Sequence, residues 1–266
     1  MIFRYPGGKR KLLAVIMHHL CPRIERAEKF CDVFIGGGSV LIEVAKTYPG
    51  LPMIANDLDT NMAAFWDMVA NGTDEDWDRL EYYLEIEPSV EQFYALRELK
   101  PKSKTHKAYY AIFFNRCTFS GISTSGPIGG KEQKSKYTVD CRYNATKIIK
   151  QCRALRKLFA GRLKVTNLTF QDFFALHVPE KSVSYCDPPY YMKGPELYPC
   201  SMDHEDHEDL AEILKDEKSW VLSYDHCGEI KQLYTFANCL TVDARYSING
   251  IKNTWSNKQE FLITEA

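Results

Sequence analysis

Asp187-Pro188-Pro189-Tyr190 closes a short apolar run containing Val183 and Tyr185, a pattern that predicts a strand ending in a rigid turn. Asp187 offers a carboxylate. Pro188 has no N–H and a fixed φ, so the turn is held in one shape with the Pro188 carbonyl free to accept. Tyr190 adds an aromatic face. Two acceptors beside a flat ring form a receptor for an exocyclic amino group on a planar heterocycle, because the acceptors take its two hydrogens while the ring stacks on it. A Pro-Pro pair after Asp is also an ordinary strand stop. Cys186 offers a thiol beside Asp187, but no histidine lies near it in sequence to activate it.

Three other segments carry residue types that could serve the same chemistry. Phe30-Cys31-Asp32-Val33-Phe34-Ile35, the turn Gly36-Gly37-Gly38-Ser39 and an apolar helix predict the first βα unit of a doubly wound sheet. Nucleotide-like cofactors bind at the carboxyl ends of such strands. A dinucleotide fingerprint would place a third glycine at position 41, which is Leu41, and this weakens a pyrophosphate reading. Met53-Ile54-Ala55 then runs into Asn56-Asp57-Leu58-Asp59. Asp57 stands 21 positions after Gly36, the separation at which an acid at the end of the second strand meets the ribose hydroxyls of an adenosine. Either Asp57 or Asp59 could instead cap the helix that starts near Thr60. Near the start, Arg4-Tyr5-Pro6-Gly7-Gly8-Lys9 precedes a helical apolar period (Leu12, Leu13, Ile16, Leu20). Its glycines allow close backbone approach, and the first amides with Lys9 suit an anionic group such as a carboxylate. In Gln171-Asp172-Phe173-Phe174, Asp172 could accept from the amino group of an adenine or serve as a helix cap.

The elements that must position these residues follow from composition and period. The chain has 266 residues, 45% of them hydrophobic, enough for one large α/β domain or a domain with an insert. No stretch approaches a membrane span and the start carries no apolar signal run, so a cytoplasmic location is expected. Nine cysteines include no Cys-x-x-Cys pair and none at zinc spacing, which predicts reduced thiols and no metal site. A net charge of −1 hides an asymmetry, since residues 97–164 hold 17 Lys and Arg against three acids. Such a basic block is the footprint expected for a polyanion partner. Residues 60–87 read as helical and acidic, with Phe65, Trp66, Trp77 and Leu80 inside. A helix follows Pro88, an apolar helix over 108–116 ends in Asn115-Arg116, and another helix runs from about 144 to 159. The Gly-, Ser- and Lys-rich stretch 123–136 is expected to be mobile until it meets a partner. Asn115 and Arg116 could meet base edges or phosphates, and Lys131, Lys134 and Lys136 are candidates for phosphates.

Taken in order, Tyr-Pro-Gly-Gly-Lys at 5–9, Asp32-x-Phe34-x-Gly-Gly-Gly-Ser39, Asn56-Asp57-x-Asp59, Phe114-Asn115-Arg116 and Asp187-Pro188-Pro189-Tyr190 resemble the Dam-like DNA adenine N6-methyltransferases. The resemblance covers most of the chain. It extends to residues 206–214 as the helix after the catalytic loop and to Leu222-Ser223-Tyr224-Asp225 as the next strand end. Arg245-Tyr246-Ser247-Ile248 with Lys258-Gln259-Glu260 resembles the closing hairpin.

The resemblance implies a doubly wound, Rossmann-like methyltransferase sheet formed by residues 1–59 and 146–266. A mainly helical DNA target-recognition domain would be inserted at residues 60–145. It implies a site-specific, adenine-specific DNA methyltransferase that uses S-adenosyl-L-methionine, acts on double-stranded DNA as a monomer without metal, and belongs to restriction–modification chemistry. Tyr5 and Lys9 match cofactor contacts, Phe34, Gly36 and Gly38 the cofactor loop, Asp57 the ribose acid, and Asp172 and Phe173 the adenine pair. Asp187 matches the catalytic acid, which also borders the cofactor's methionine end, with Pro188 and Tyr190 completing the turn. Asn115 and Arg116 match residues that approach DNA. Residues 126–136 and 137–143 depart from well-known members, so no target sequence carries over. Rivals are methylation of cytosine N4, RNA adenine or a protein glutamine, a nicotinamide-dependent oxidoreductase, and a catalytically silent DNA-binding protein. Asp at 187 and the incomplete glycine fingerprint disfavour the methylation and oxidoreductase rivals.

Overall fold

The computed structural model describes residues 2–4, 8–178, 181–192, 194, 200–247 and 255–266. Tyr5, to which a cofactor contact is assigned above, lies outside them. The described strands are β1 (Lys29–Asp32), β2 (Met53–Asn56), β3 (Leu163–Thr166), β4 (Ser182–Cys186), β5 (Trp220–Asp225), β6 (Asn238–Ser247) and β7 (Trp255–Thr264). They form one sheet in the order β3-β2-β1-β4-β5-β7-β6. The first five pair in parallel, whereas β7 inserts antiparallel between β5 and β6.

Period-two alternation sends side chains from the central strands into two separate cores, as expected for a parallel sheet covered on both faces. Phe30, Met53, Ala55, Val183, Tyr185 and Val221 join one apolar cluster. Cys31, Ile54, Cys186, Trp220, Leu222 and Tyr224 join the other. The first face is covered by α1 (Leu13–Ile24), α2 (Ser39–Thr47), α3 (Thr60–Asn71), α4 (Asp74–Glu85), α6 (Lys104–Cys117) and α7 (Ala145–Phe159), with α5 (Val90–Glu98) packed outside on α6. The second is covered by α8 (Phe170–His177), α9 (His204–Asp216) and α10 (Gly228–Leu233). The expected doubly wound sheet is present. No helix among the described residues is long and apolar enough to cross a membrane.

Between β2 and β3 the chain forms five helices, α3 to α7, with a long irregular loop over 118–144 between α6 and α7, and local chemistry sets the breaks. The acidic stretch expected as one helical pattern splits at Gly72-Thr73, where Thr73 and Asp76 form a reciprocal capping box. Ser89 and Asn144 cap α5 and α7 in the same way, each accepting from a backbone N–H three residues on. Helix α6 is buried on nearly every side from Ala108 to Asn115, the pattern of a helix inside a core rather than upon one. Phe65, Trp66, Phe113 and Phe159 share one cluster with Phe30 and Val183, so this helical segment and the sheet have a continuous core.

Residues 123–136, expected to be mobile until they meet a partner, make hydrogen bonds to α5 and within the loop. Arg97 donates to the carbonyls of Ser123 and Ser125, and Gln133 bridges the Ile128 carbonyl and the Val139 amide. The basic block is also less basic in space than in sequence. Arg153 pairs with Glu81 and Arg156 with Asp74 because α4 and α7 lie side by side, and Lys104 pairs with Asp67 because α6 packs on α3. Arg162 instead holds the carbonyls of Ala45 and Tyr48 at the end of α2.

Asn56 clasps the carboxyl ends of the strands. Its buried side chain donates to the carbonyls of Val33 and Leu168 and accepts from the Thr166 hydroxyl and the Leu168 amide. Each buried polar group left unpaired costs about 1–3 kcal/mol, so Asn56→Ala is expected to lower unfolding stability by about 3 kcal/mol or more. Urea denaturation at constant m value measures this, and a loss below about 1 kcal/mol would contradict the clasp.

Candidate active site

Strand β1 has β2 on one side and β4 on the other, so the order reverses at β1. In open α/β sheets ligands bind in the crevice at such a point. Asp32 pairs in register with Tyr185, which brings the glycine turn after β1 and the Asp-Pro-Pro-Tyr turn after β4 out of the sheet side by side. Together with the ends of β2 and β3 they line a cleft of about 1070 Å³, open mouth included. Lys9, Phe34, Gly36, Gly38, Asp57 and Asp187 all line it.

The glycine loop is braced from behind by α3. Trp66 Nε1 donates to the Gly36 carbonyl at 2.9 Å, and Gly38 sits at φ 66° with the Trp66 ring against its Cα. A Cβ at Gly38 would lie 2.2 Å from Trp66 Cζ2, so both conformation and space demand glycine. Asp57 and Asp59, left as alternatives by sequence, divide the work. Asp59 caps α3 by accepting from the Asn61 amide at 2.8 Å. Asp57 accepts from the Gly36 amide and the Asp59 amide, both at 2.9 Å, which fixes its carboxylate at the cleft wall. Burial, with Asp59 nearby, raises the Asp57 carboxyl to about 7.

Asp172 and Phe173 are not brought to the cleft, and this corrects the expectation of an adenine pair there. Thr169 caps α8, accepting from the Asp172 amide at 3.2 Å. The helical period then leaves Asp172 exposed on the first turn and drives Phe173 into the second core. Phe170 and Gln171 line the cleft instead. Phe170 and Phe34 face each other with ring centroids 5.9 Å apart.

At the other end of the cleft, Lys9 is almost wholly buried and its ammonium lies 2.7 Å from Asp187 Oδ1 and 3.4 Å from Glu260 Oε2. It also donates to the Tyr190 hydroxyl at 3.2 Å, and that hydroxyl donates to Glu260 Oε1 at 3.2 Å. Burial works against the Lys9 charge, but Asp187, Tyr190 and Glu260 outweigh it and hold the ammonium well above its ordinary value. Burial raises the Asp187 carboxyl to about 6 against the pull of Lys9. Pro188 is buried and Pro189 lines the cleft. Asp225, at the end of β5, accepts from the amides of Tyr191 and Met192 and so fixes the chain leaving the turn. Cys186 is a core thiol pushed well above its ordinary value by burial, which suits packing and not nucleophilic attack. Among the described residues no group of His, Cys, Asp and Glu is arranged to hold a metal ion.

The residues proposed to meet DNA separate. Asn115 is buried, its amide bonded to the Arg4 amide and carbonyl and to the Gly121 carbonyl, so it ties the N-terminal segment to α6 rather than facing outward. Lys131, Lys134 and Lys136 are exposed, with Lys134 paired to Glu132. Arg116 lines a second cavity with Arg10, Arg142 and Lys147, and no acid is among the described residues lining it. Arg4 and Arg142 repel one another across this region, as do Arg4 and Arg116, and burial with this repulsion lowers the pKa of both Arg4 and Arg116.

Sequence reasoning missed Asn56, Phe170 and Asp225 as positioning residues, and it gave Glu260 no role. Each carried a faint signal. Asn56 and Asp225 are polar residues closing apolar strands, and Glu260 is a charge set directly before Phe261-Leu262-Ile263. From the glycine loop, Gly38→Ala is expected to destabilise the fold by about 3 kcal/mol, combining left-handed strain with overpacking against Trp66. Thermal unfolding checks it, and Gly38→Ala combined with Trp66→Phe should recover only the steric part.

The geometry agrees with the kinships of the chain. The family model for D12 class N6 adenine-specific DNA methyltransferases matches residues 5–248. Type II methyltransferase M.MjaIII of Methanocaldococcus jannaschii is 24% identical over 203 residues, covering 70% of this chain and 68% of that protein. Among solved structures, a conserved hypothetical protein of Streptococcus pyogenes covers 90% of this chain and 86% of its own at 11% identity and a TM-score of 0.35. A precorrin-6y C5,15-methyltransferase of Geobacter metallireducens covers 98% and 93% at 10% identity and a TM-score of 0.38. A family match over nearly the whole chain, on a sheet that delivers the glycine loop, Asp57 and the Asp-Pro-Pro-Tyr turn to one cleft, places the chain in a family: it belongs to the D12 class N6 adenine-specific DNA methyltransferases.

Proposed function

We propose that this adenine DNA methyltransferase takes its methyl group from S-adenosyl-L-methionine and delivers it to N6 of an adenine rotated out of duplex DNA. Residues 60–145 would serve as the target-recognition domain. The charge of the cleft carries this reading. Asp32, Asp57, Asp59, Asp187 and Asp206 line it with Lys9 as the cation among the described residues. In their ionised form these acids repel a pyrophosphate, whereas a ligand bearing a sulfonium and an ammonium is attracted and itself favours that ionised form. The residues fit such a group. Asp57 is held by two amides in position to accept from ribose hydroxyls, Phe34 and Phe170 offer aromatic faces for an adenine, and the glycine loop keeps the space that a Cβ would fill.

When bound, S-adenosylmethionine supplies an electrophilic methyl group, which leaves the chain to bind, orient and remove a proton. An adenine amino group is a poor nucleophile because its lone pair is delocalised into the ring. Asp187 and the Pro188 carbonyl take its two hydrogens and turn the nitrogen lone pair toward the methyl group, while Tyr190 stacks on the base. After transfer the extra proton leaves to Asp187 or water. The crowded guanidiniums of Arg4, Arg116 and Arg142, with Arg10 and Lys147, match backbone phosphates, which would relieve their repulsion.

Labelled-methyl transfer to adenine-containing duplex DNA, with RNA, protein and cytosine-only DNA as competitors, tests the assignment. Asp187→Ala should lower the rate about 10³-fold or more while DNA binding persists; wild-type turnover by that variant would sink it. In the wild type, the Asp187 carboxyl at about 6 predicts that kcat/KM falls as pH drops below that value, because the protonated acid no longer accepts. Arg142→Ala should weaken duplex binding at every sequence and reduce the slope of log K against log salt by about 0.9. An unchanged slope would remove Arg142 from the DNA contact.

A further inference from the structure

The Lys9 ammonium has two carboxylates beside it where one would neutralise it. Asp187 already lies 2.7 Å away, yet Glu260 supplies a second at 3.4 Å, with side-chain exposure of only 5%. Register places Glu260 opposite Asp225 at the carboxyl edge of the parallel strands, and alternation along β7 puts it on the side of Leu262, facing the first core. An apolar side chain would be cheaper at such a place, since burying an ion costs several kcal/mol. The extra charge therefore has no packing rationale. Glu260 Oε1 accepts from the Tyr190 hydroxyl, and its Oε2 lies 3.4 Å from the Lys9 ammonium.

We propose that Glu260 is a positioning residue for methyl transfer: it fixes Lys9 and the Tyr190 ring beside Asp187 and leaves the reacting site with one net negative charge. The inference rests on the reading that Asp187 receives the adenine amino group. As N6 uses its lone pair to bond the methyl carbon, the pair of the broken carbon–sulfur bond stays on sulfur. The nitrogen is then cationic until a proton passes to Asp187 or water. A neutral Asp187–Lys9 pair would give that cation little; two carboxylates around one ammonium stabilise it. The groups facing Asp187 are Lys9 from the N-terminal segment, Glu260 from β7, Tyr190 from its own turn, Tyr185 from β4 and Asp32 from β1. Of these, Lys9 lowers the Asp187 value and Glu260 raises it, and Asp187 in turn bears on Tyr185 and Asp32.

Two measurements on Glu260→Gln, Glu260→Asp and Asp187→Asn test this. In the protein alone, the Asp187 carboxyl followed by carbon-13 NMR should titrate below its value of about 6 in Glu260→Gln, since a repelling charge is gone, and stay near it in Glu260→Asp. Single-turnover methyl transfer should fall at least about tenfold in Glu260→Gln, with duplex binding within about twofold and the acid limb moved to lower pH. If Glu260→Gln does not fold, Glu260→Asp is decisive: its shorter side chain should slow transfer without moving the acid limb, and a wild-type rate would overturn the proposal. A wild-type titration and rate in Glu260→Gln, with Asp187→Asn inactive, overturns the role of Glu260 alone. Full activity in Asp187→Asn would instead overturn the reading beneath it.

Discussion

A buried lysine ammonium needs partners that replace the water it loses, and the placement of Lys9 between Asp187 and Glu260 ties one end of the cleft together. The three residues come from the start of the chain, the turn after β4 and the last strand. They are far apart in sequence, so the network exists only when the sheet is complete. The Tyr190 hydroxyl, held by both Lys9 and Glu260, extends the same constraint to the aromatic face of the turn. Asp187 and Tyr190 are thus held by long-range charge pairing on top of a short rigid turn.

The far end of the cleft depends on a different constraint. Asn56 uses all four of its hydrogen-bonding positions to join the ends of β1, β2 and β3, and Trp66 braces the glycine loop through the Gly36 carbonyl. Asp57 is then fixed by amides from that loop and from its own turn. One end of the cleft is held by ion pairs and the other by neutral hydrogen bonds, and both meet the sheet where its order reverses. This arrangement leaves an acidic cleft inside a chain of net charge −1, distinct from the cation-lined cavity formed by Arg10, Arg116, Arg142 and Lys147.

Much of this was legible in the linear chain because it depends on local rules. Apolar runs of strand length, a glycine turn lacking a third glycine, an acid at the second strand's end and a proline-locked turn each act over a few residues. Their order along the chain carried the family resemblance. Helix boundaries followed from caps, with the split at Thr73 missed because the apolar period runs across it. Phe173 faces the core and Asp172 the solvent because Thr169, rather than Asp172, caps the helix, and each residue along a helix turns the side chain by about 100°.

Local residue types and spacing by themselves determined which groups are on offer: a carboxylate in a proline-locked turn at Asp187, an acid at Asp57, a tight turn at Gly36 to Gly38. Only the tertiary structure decided which charges meet. It neutralised Arg153, Arg156 and Lys104 against acids far away in sequence, turned Asn115 inward to hold Arg4, and set Glu260 beside Lys9. The physical reason is range. Hydrogen-bonded turns and helix caps are settled within a few residues, whereas a Coulomb interaction depends on distance through space, which the order of residues along a chain does not contain.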